Sequence, residues 1–496
     1  MLTNGRWMPS ARLGFWVSVG SVIVGIAAGV LAGAQPLYLG CLLASVIVFV
    51  YFFADFGRTV LSLLVLRSSL DVFSAQQIPA VFAIGVDALT LLYVTVMILT
   101  GRTVHTDKFW WLFAGWVMLQ SLWVILLPLG GLGLNASVLP VGIREWIRLF
   151  SWLMIYLLVM QLKDEVPPKK IISWLFFSLI PPLTVALMQM FLPSLLPSIL
   201  SANVSSVDGG NPISSLLSEG SRIRGTLGVA NTFATYLLLF MGLTWWKLNQ
   251  VQRRWPWVLL LGLLAFLFVS TKSLFSLMML CIFVLVLIAP RFSLPKLIGG
   301  AILLALVVGL FASSDFGQQR LGSIASTPLL NPNMDISRAI LLSRLDNNSF
   351  NWRLAQWTFL LQSWQKSPIL GYGLATSPYL SALRNLAHND YVRALVEGGI
   401  VGLTTFLAFL GFQAIRLVQL LRYAPRGSAQ YDLCLILLAI FLATLVGMST
   451  ENIWSHTTLY FYWWTLVAVA GWNWSEVQAE DSPVCERQSS FAPDMK

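Results

Sequence analysis

Long runs of apolar residues without a charged side chain restrict the folds that this chain can adopt. Two such runs, 256–271 and 273–289, are almost contiguous. Apolar residues make up 57% of the chain and charged residues only 10%, whereas about a quarter of the residues of a soluble domain are charged. The runs are rich in Leu, Ile, Val and Phe and lack the alternation of a membrane β-barrel strand. The sequence therefore excludes a soluble globular protein and predicts an all-α, polytopic membrane protein.

Windows of about twenty apolar residues show where helices can cross a bilayer, and they predict about 12–14 transmembrane helices. The predicted helices lie near residues 13–33, 36–53, 59–75, 79–100, 109–128, 143–162, 171–192, 225–245, 256–271, 273–289, 297–312, 391–412, 432–450 and 458–473. The first follows basic residues as a signal peptide does, but the next begins almost at once, so we interpret it as a retained helix. Pro181 and Pro182 should kink the seventh, because proline lacks a backbone donor.

The spacing of these windows predicts the domain organisation. Residues 1–312 hold transmembrane helices with short loops, apart from an outer loop near 193–224. Residues 313–390 form one long extracytoplasmic loop, and loops of this length are usually functional or disordered. Residues 391–473 hold the C-terminal transmembrane helices, and the polar segment 474–496 is expected to be a disordered cytoplasmic tail.

The distribution of basic residues predicts the orientation. Most of the 31 Lys and Arg residues lie in segments that are cytoplasmic if the N-terminus is, which places both termini in the cytoplasm. The net charge of +10 is scattered along the chain, so no nucleic-acid partner is expected. Six basic residues in short outer segments oppose this bias and need another explanation: Arg67, Arg144, Arg148, Arg222, Arg224 and Lys272.

The long loop contains one amphipathic segment. Leu354, Trp357, Leu361 and Trp364 recur at the spacing of one helix face. Tryptophan suits the boundary between membrane and water, so this helix could lie on the outer leaflet. A helix packed on the rest of the loop fits the pattern equally well.

His388 is the most reactive side chain at the end of the long loop. Only three histidines occur in the chain, and this one precedes an apolar helix at the expected membrane surface. An imidazole titrates near neutrality and can take a proton from a hydroxyl group. The alternative is a helix-entry residue whose helix is capped by Asn389 or Asp390.

Three arginines are expected on the same side of the membrane. Arg222 and Arg224 end the shorter outer loop, and Arg353 lies in the long one. Guanidinium groups bind phosphate oxygens bidentately and keep their charge in poorly hydrated sites. Beside a hydroxyl-activating base, they suit a lipid-linked diphosphate substrate. Isolated outer arginines could instead bind lipid phosphates or loop carboxylates.

Other charged residues are weaker candidates. Asp87 and Lys272 lie near or within apolar runs, where ionisable residues are often functional, although each could sit at a helix end. Glu451 and His456 share a short outer loop and could support the site. The sequence contains no Walker loop, dinucleotide fingerprint or zinc-binding pattern, so we expect neither a metal ion nor a cofactor.

The order of these motifs resembles the O-antigen ligase and polymerase superfamily. Its elements here are Arg224-Gly-Thr-Leu-Gly-Val-Ala-Asn231, Arg353, Pro368-x-x-Gly-x-Gly373, His388-Asn389 and Glu397-Gly-Gly399. His388 and Gly399 meet the His-x10-Gly spacing typical of the ligases. Two positions depart from the family pattern: Ala230 replaces a proline before the asparagine, and Trp357 replaces a leucine after the arginine.

The resemblance implies a GT-C-like helical membrane enzyme that is metal-independent and inverting. Such an enzyme moves a glycan from an undecaprenyl-diphosphate donor to a hydroxyl of a glycan or lipid-core acceptor, on the outer face of the bacterial cytoplasmic membrane. His388 would be the base, and Arg224, Arg353 and Arg222 would bind the diphosphate. Its partners would be the donor, the acceptor and membrane lipids. The supporting residues would be Asn231, Asn389, Glu397 and Gly399.

Several functions stay open on the sequence alone. A transporter, for example of an anion such as bicarbonate, also has many spans and intramembrane charges, but transporters usually contain internal repeats, and we find none here. A lipid-binding protein without catalysis is a further alternative. Within the transferase class, the motifs do not distinguish a ligase, a polymerase and a protein O-glycosylation enzyme.

Overall fold

A computed structural model describes residues 36–129, 134–200, 222–289, 324–346 and 349–474, together with four isolated positions. The predicted helices near 13–33 and 297–312, and the predicted disordered tail, lie outside the described residues. The chain divides into two compact units, Met1–Ser62 and Leu63–Lys496. All the site residues discussed below belong to the second unit.

The described part of the chain consists of helices, turns and irregular segments without a β-strand, which confirms the all-α prediction. We number the helices α1 (Pro36–Ala54), α2 (Phe56–Leu66), α3 (Ile78–Leu99), α4 (Lys108–Leu126), α5 (Leu139–Met160), α6 (Pro168–Leu175), α7 (Ile180–Phe191), α8 (Ala230–Gln250), α9 (Trp255–Ser270), α10 (Leu274–Ile288), α11 (Ile336–Asp346), α12 (Ser349–Trp364), α13 (Asp390–Tyr423), α14 (Ala429–Gly447) and α15 (Thr457–Ala470).

The lengths and composition of these helices identify a polytopic membrane protein. Among the described residues, five helical segments are long and apolar enough to cross a bilayer: Ile78–Leu99, Lys108–Leu126, Pro168–Phe191, Asp390–Tyr423 and Ala429–Gly447. Each coincides with a predicted window. The apolar helices α9 and α10 are shorter and match two further windows. The total number of crossings stays a prediction.

The seventh predicted span is interrupted, as its prolines indicated. Helix α6 ends at Leu175, a 3-10 turn covers Phe176–Leu179, and α7 begins at Ile180. Pro181 and Pro182 occupy the first turn of α7, where the missing N–H groups have no partner within the helix to lose. The α-helix thus changes to a 3-10 turn just before the two prolines, whereas the kink itself stays a prediction.

The loop between α14 and α15 is held in place by aromatic packing. Trp454 lies at ring-centroid distances of 5.0 Å from Trp152 on α5 and 5.0 Å from Phe406 on α13. Its backbone N–H donates to Asp390 Oδ2 at 2.8 Å, and the Asp390 N–H donates to Met448 O at 2.8 Å. These contacts fix the loop against the N-terminal end of α13, which follows His388.

Helix α12 packs on the segment that precedes His388. Trp357 Nε1 donates to Ala387 O at 2.6 Å, and Gln356 Nε2 donates to Asn385 O at 2.5 Å. Packing on the loop, one of the two alternatives for this helix, is therefore what the structure shows for Trp357. Leu361 on the same predicted face stays 38% exposed. A contact of this helix with the outer leaflet stays a prediction.

Candidate active site

Glu451 is the carboxylate on which the predicted site residues converge. It lies in the loop between α14 and α15 and is only 4% exposed. A buried carboxylate is costly unless charged or hydrogen-bonding groups surround it. In this structure those groups come from three distant segments of the chain, which carry Asn231, Arg353 and His388.

The two oxygens of Glu451 have different partners. Oε1 lies 3.1 Å from His388 Nδ1 and accepts from the Asn452 N–H at 3.1 Å. Oε2 accepts from Asn231 Nδ2 at 2.5 Å and lies 3.7 Å from Arg353 Nη2. Because an ionised carboxylate can only accept hydrogen bonds, the proton between His388 and Glu451 lies on Nδ1. In a neutral imidazole the other ring nitrogen, Nε2, then carries the lone pair.

Asn231 connects Glu451 to Arg222. Its side-chain oxygen accepts from Arg222 Nη2 at 2.6 Å and from Ser273 Oγ at 3.1 Å. Arg222 also donates through Nε to Thr271 O at 2.9 Å. The Asn231 side chain therefore accepts hydrogen bonds on its oxygen and donates one from its nitrogen. Arg222, Asn231 and Glu451 thus form one continuous chain of hydrogen bonds.

His388 lies immediately before α13 in a sparsely populated backbone conformation. Its φ angle is +47°, a region that non-glycine residues rarely adopt unless the surroundings hold them there. Asn389 caps the helix, accepting from the Tyr391 and Val392 N–H groups at 3.0 Å, and donates to Ser449 O at 2.9 Å. The capping role predicted for Asn389 is confirmed, and it coexists with the contact between His388 and Glu451.

The turn that carries Arg224 is fixed by its backbone. The N–H groups of Arg224 and Gly225 both donate to Gln189 Oε1, at 2.9 and 3.0 Å. Gly225 has a φ of +59°, and a Cβ there would lie 2.9 Å from Pro182 O. Thr226 Oγ1 donates to Ser68 O at 2.7 Å. Arg224 itself is 8% exposed, so the turn holds a buried cation just before α8.

Glu397 and Gly399 lie in a second cluster, away from the contacts of Glu451. Glu397 pairs with Arg393 Nε at 3.1 Å and accepts from Ser377 Oγ at 2.7 Å and the Ala375 N–H at 2.7 Å. These bonds tie the loop after α12 to α13. The supporting role of Glu397 stays a prediction, and its contacts link it to the position of this loop.

Gly399 explains why two of the sequence motifs occur together. The regular helix of α13 is broken here, at φ +65° and ψ −163°. The N–H groups after the break donate to the preceding loop, Ile400 to Pro368 O at 2.8 Å and Val401 to Ile369 O at 3.2 Å. In return the Gly373 N–H donates to Glu397 O at 2.8 Å. Buried backbone groups need such partners, so Pro-x-x-Gly-x-Gly and Glu-Gly-Gly form one structural unit.

Burial and neighbouring charges shift the pKa values of Glu451 and His456, the two ionisable residues of the loop after α14. Burial alone would raise the pKa of Glu451, but the adjacent His388 and Arg353 outweigh it and bring that pKa to about 2. Burial lowers the pKa of His456 to about 4, against the opposing charge of Glu451. At neutral pH the site therefore contains an ionised Glu451 and a neutral His456, which is 3.0 Å from Thr235 Oγ1.

The remaining candidates differ in their relation to this site. Lys272 lies in the turn between Thr271 and Ser273, whose oxygens contact Arg222 and Asn231. Asp87, on α3, is hydrogen-bonded to Ser151 of α5, elsewhere in the helical core. Within the described segments, no group of three His, Cys, Asp or Glu side chains is arranged to hold a metal ion.

Fold and site together define a polytopic helical membrane protein in which a histidine and arginines from separate loops surround one buried carboxylate. Residues 257–407 match the family model for O-antigen ligase. The match confirms the resemblance to the O-antigen ligase and polymerase superfamily that the sequence motifs indicated. No curated protein matches the chain.

The matched region includes Arg353, His388, Glu397 and Gly399, whereas Glu451 lies beyond its end. An O-antigen ligase domain in a membrane protein supports glycan transfer as its general role and a membrane glycosyltransferase-like enzyme as its class. The contact that joins His388 to the rest of the site is thus made by a residue outside the matched region.

Proposed function

We propose that the protein transfers an oligo- or polysaccharide from an undecaprenyl-diphosphate donor to an acceptor hydroxyl, with inversion and without a metal ion. The reaction takes place on the outer face of the bacterial cytoplasmic membrane, and both termini are cytoplasmic. The observation that carries the proposal is the convergence of His388, Arg353 and the Arg222–Asn231 pair on Glu451. These are the base and the cations that such a reaction requires.

His388 acts as the general base. Its Nε2 takes the proton of the acceptor hydroxyl while the acceptor oxygen forms a bond to the anomeric carbon. The bond between that carbon and the diphosphate oxygen breaks in the same displacement, and the electron pair leaves with the lipid diphosphate. Because attack and departure occur on opposite faces of the sugar, one displacement inverts the anomeric configuration.

The arginines stabilise the leaving group. Negative charge grows on the diphosphate as the glycosidic bond breaks, and cations placed there in advance stabilise the transition state. These charges come from Arg353, whose side chain is 27% exposed beside Glu451, and from Arg222 and Arg224, which precede α8. Guanidinium groups suit this role because they bind phosphate oxygens in pairs.

The first experiment compares His388→Ala with a matched histidine variant. His105 pairs with Asp164 and Gln161 and has no contact with Glu451, so His105→Ala serves as control. Purified protein in nanodiscs receives a mixed pool of undecaprenyl-diphosphate oligosaccharides in buffer with EDTA. We expect His388→Ala to lose at least about 100-fold in turnover, the lower end for a general base, whereas His105→Ala keeps it. Product mass and released lipid diphosphate are measured.

The products also distinguish the finer alternatives. Longer lipid-linked glycan identifies a polymerase, glycan on an added core acceptor identifies a ligase, and glycan on an added protein identifies O-glycosylation. Equal turnover in His388→Ala and the native protein contradicts the proposed base, and activity abolished by EDTA contradicts metal independence. Movement of an anion into proteoliposomes without release of lipid diphosphate favours the transporter.

A further inference from the structure

We infer that Glu451 is a positioning residue that orients both halves of the site, the imidazole of His388 and the pair formed by Arg222 and Asn231. This inference rests on the proposed function and deepens it. Glu451 lies outside the region that matches the O-antigen ligase model, and it is separated from His388 by 63 positions along the chain. The geometry around its two oxygens carries the argument.

The first oxygen fixes the tautomer of His388. Oε1 accepts from Nδ1, and the Asn452 N–H holds the same oxygen from the other side. A carboxylate hydrogen-bonded to one ring nitrogen keeps the proton there, so that the opposite nitrogen is the base. The same carboxylate stabilises the imidazolium ion that forms when the acceptor proton arrives. The φ of +47° at His388 is one that non-glycine residues adopt only when their surroundings hold them there, which agrees with a fixed position of this residue.

The second oxygen holds the cationic half of the site. Oε2 accepts from Asn231, whose own oxygen holds Arg222. Arg353 Nη2 lies 3.7 Å from the same oxygen, longer than a hydrogen bond, so its guanidinium group can turn toward a phosphate while staying near the carboxylate. One buried negative charge thus lies beside Arg353 and is linked through Asn231 to Arg222.

The experiment measures kcat, KM for the lipid-linked donor and the pH profile of Glu451→Gln. The glutamine retains an acceptor for His388 but removes the negative charge, which makes the imidazolium less stable. We expect kcat to fall at least about 10-fold, the lower end for losing a group that orients a histidine. The low-pH limb of kcat should move to lower pH by about one unit, as the loss of a neighbouring charge requires.

Other ionisable groups also interact with Glu451, and they set the reference for this shift. Arg353 lies on α12, Asp390 begins the helix that follows His388, and His456 ends the loop that carries Glu451. None of them changes in Glu451→Gln, so the shift reports the lost carboxylate. In Asn231→Ala the carboxylate stays, so we expect KM for the donor to rise by at least about 3-fold while the low-pH limb stays in place.

Glu397→Gln is the matched control. It removes another buried carboxylate, which pairs with Arg393 and has no contact with His388. We expect it to lower thermal stability without moving the low-pH limb. If Glu451→Gln fails to fold, Glu451→Asp replaces it. The aspartate keeps the negative charge, but its shorter side chain reaches His388 less well. We then expect kcat to fall while the low-pH limb of kcat stays in place.

The outcomes separate the two proposals. The positioning role would be overturned if Glu451→Gln kept the native kcat and the native low-pH limb, or if Glu451→Asp kept the native kcat. In either case, an inactive His388→Ala would leave the proposed base intact. A fully active His388→Ala would overturn the proposed function itself.

Discussion

Glu451 and His456 occupy one loop, and both are buried, but the folded protein holds Glu451 in its ionised form and His456 in its neutral form. The carboxylate is ionised because His388 and Arg353 compensate for its burial. No group of equal strength compensates for the burial of His456, and its pKa falls to about 4. The folded protein therefore resists protonation of both residues more strongly than the unfolded chain does.

This difference predicts that acid removes the stability contributed by these two residues in two steps. A histidine with an ordinary pKa of 6.5 binds a proton in the unfolded chain first, so the contribution of His456 to folding stability is constant above pH 6.5 and falls as the pH drops to about 4. The loss through His456 is on the order of 3 kcal/mol. Glu451 adds a second loss between about pH 4.5 and 2.

The measurement is the melting temperature in detergent between pH 8 and 4, with His456→Gln as the comparison. The glutamine cannot titrate, so its melting temperature should depend less on pH between 6.5 and 4. Parallel curves for the two proteins would mean that His456 is not the group responsible.

Sequence motifs identified most of the residues at this site, because each motif is local. His388, Arg353 and the Arg222–Asn231 segment follow from short patterns with characteristic spacing. Glu451 was a minor candidate, because an acid in a short outer loop has many uses. Its central position depends on the packing of Trp454, which no local pattern encodes. The only available signal was the rarity of acids in such a loop.

At the scale of the element, α13 illustrates a limit of hydropathy. The apolar window at 391–412 predicted the helix but not its interruption at Gly399. The motifs before and at the break resemble family signatures, and the structure gives them a physical reason. The loop at 368–373 supplies the partners that the broken helix loses. Only the folded chain shows that the two segments meet.

Replacement of Gly399 by alanine tests this unit. A Cβ at this position would lie 2.2 Å from Ile369 O, and its φ and ψ belong to a region that is essentially restricted to glycine. We expect Gly399→Ala to lower stability by at least about 2–3 kcal/mol, the upper range for backbone strain. Gly411→Ala, on the same helix with nothing within 4 Å, should be neutral or slightly stabilising. Equal melting temperatures for the two variants would contradict this role of Gly399.

At the scale of the whole molecule, hydropathy located helices well because the bilayer requires long apolar segments. Twelve of the predicted windows overlap a described helix, among them those of α3, α4 and α14. Hydropathy does not show which side each loop faces, since that depends on the weak bias of basic residues. The orientation matters for function: it determines whether His388 and the arginines meet a substrate on the outer face.

Cysteine labelling of intact cells tests the orientation. Asn333 and Arg426 are both exposed, the first in the long loop and the second between α13 and α14. In a background without the four native cysteines, a membrane-impermeant maleimide should label Asn333→Cys from outside. It should label Arg426→Cys only after the membrane is permeabilised, because the positive-inside bias places that loop in the cytoplasm. The reverse pattern would put His388 on the cytoplasmic side, away from the proposed substrates, and would contradict the proposed reaction as well as the topology.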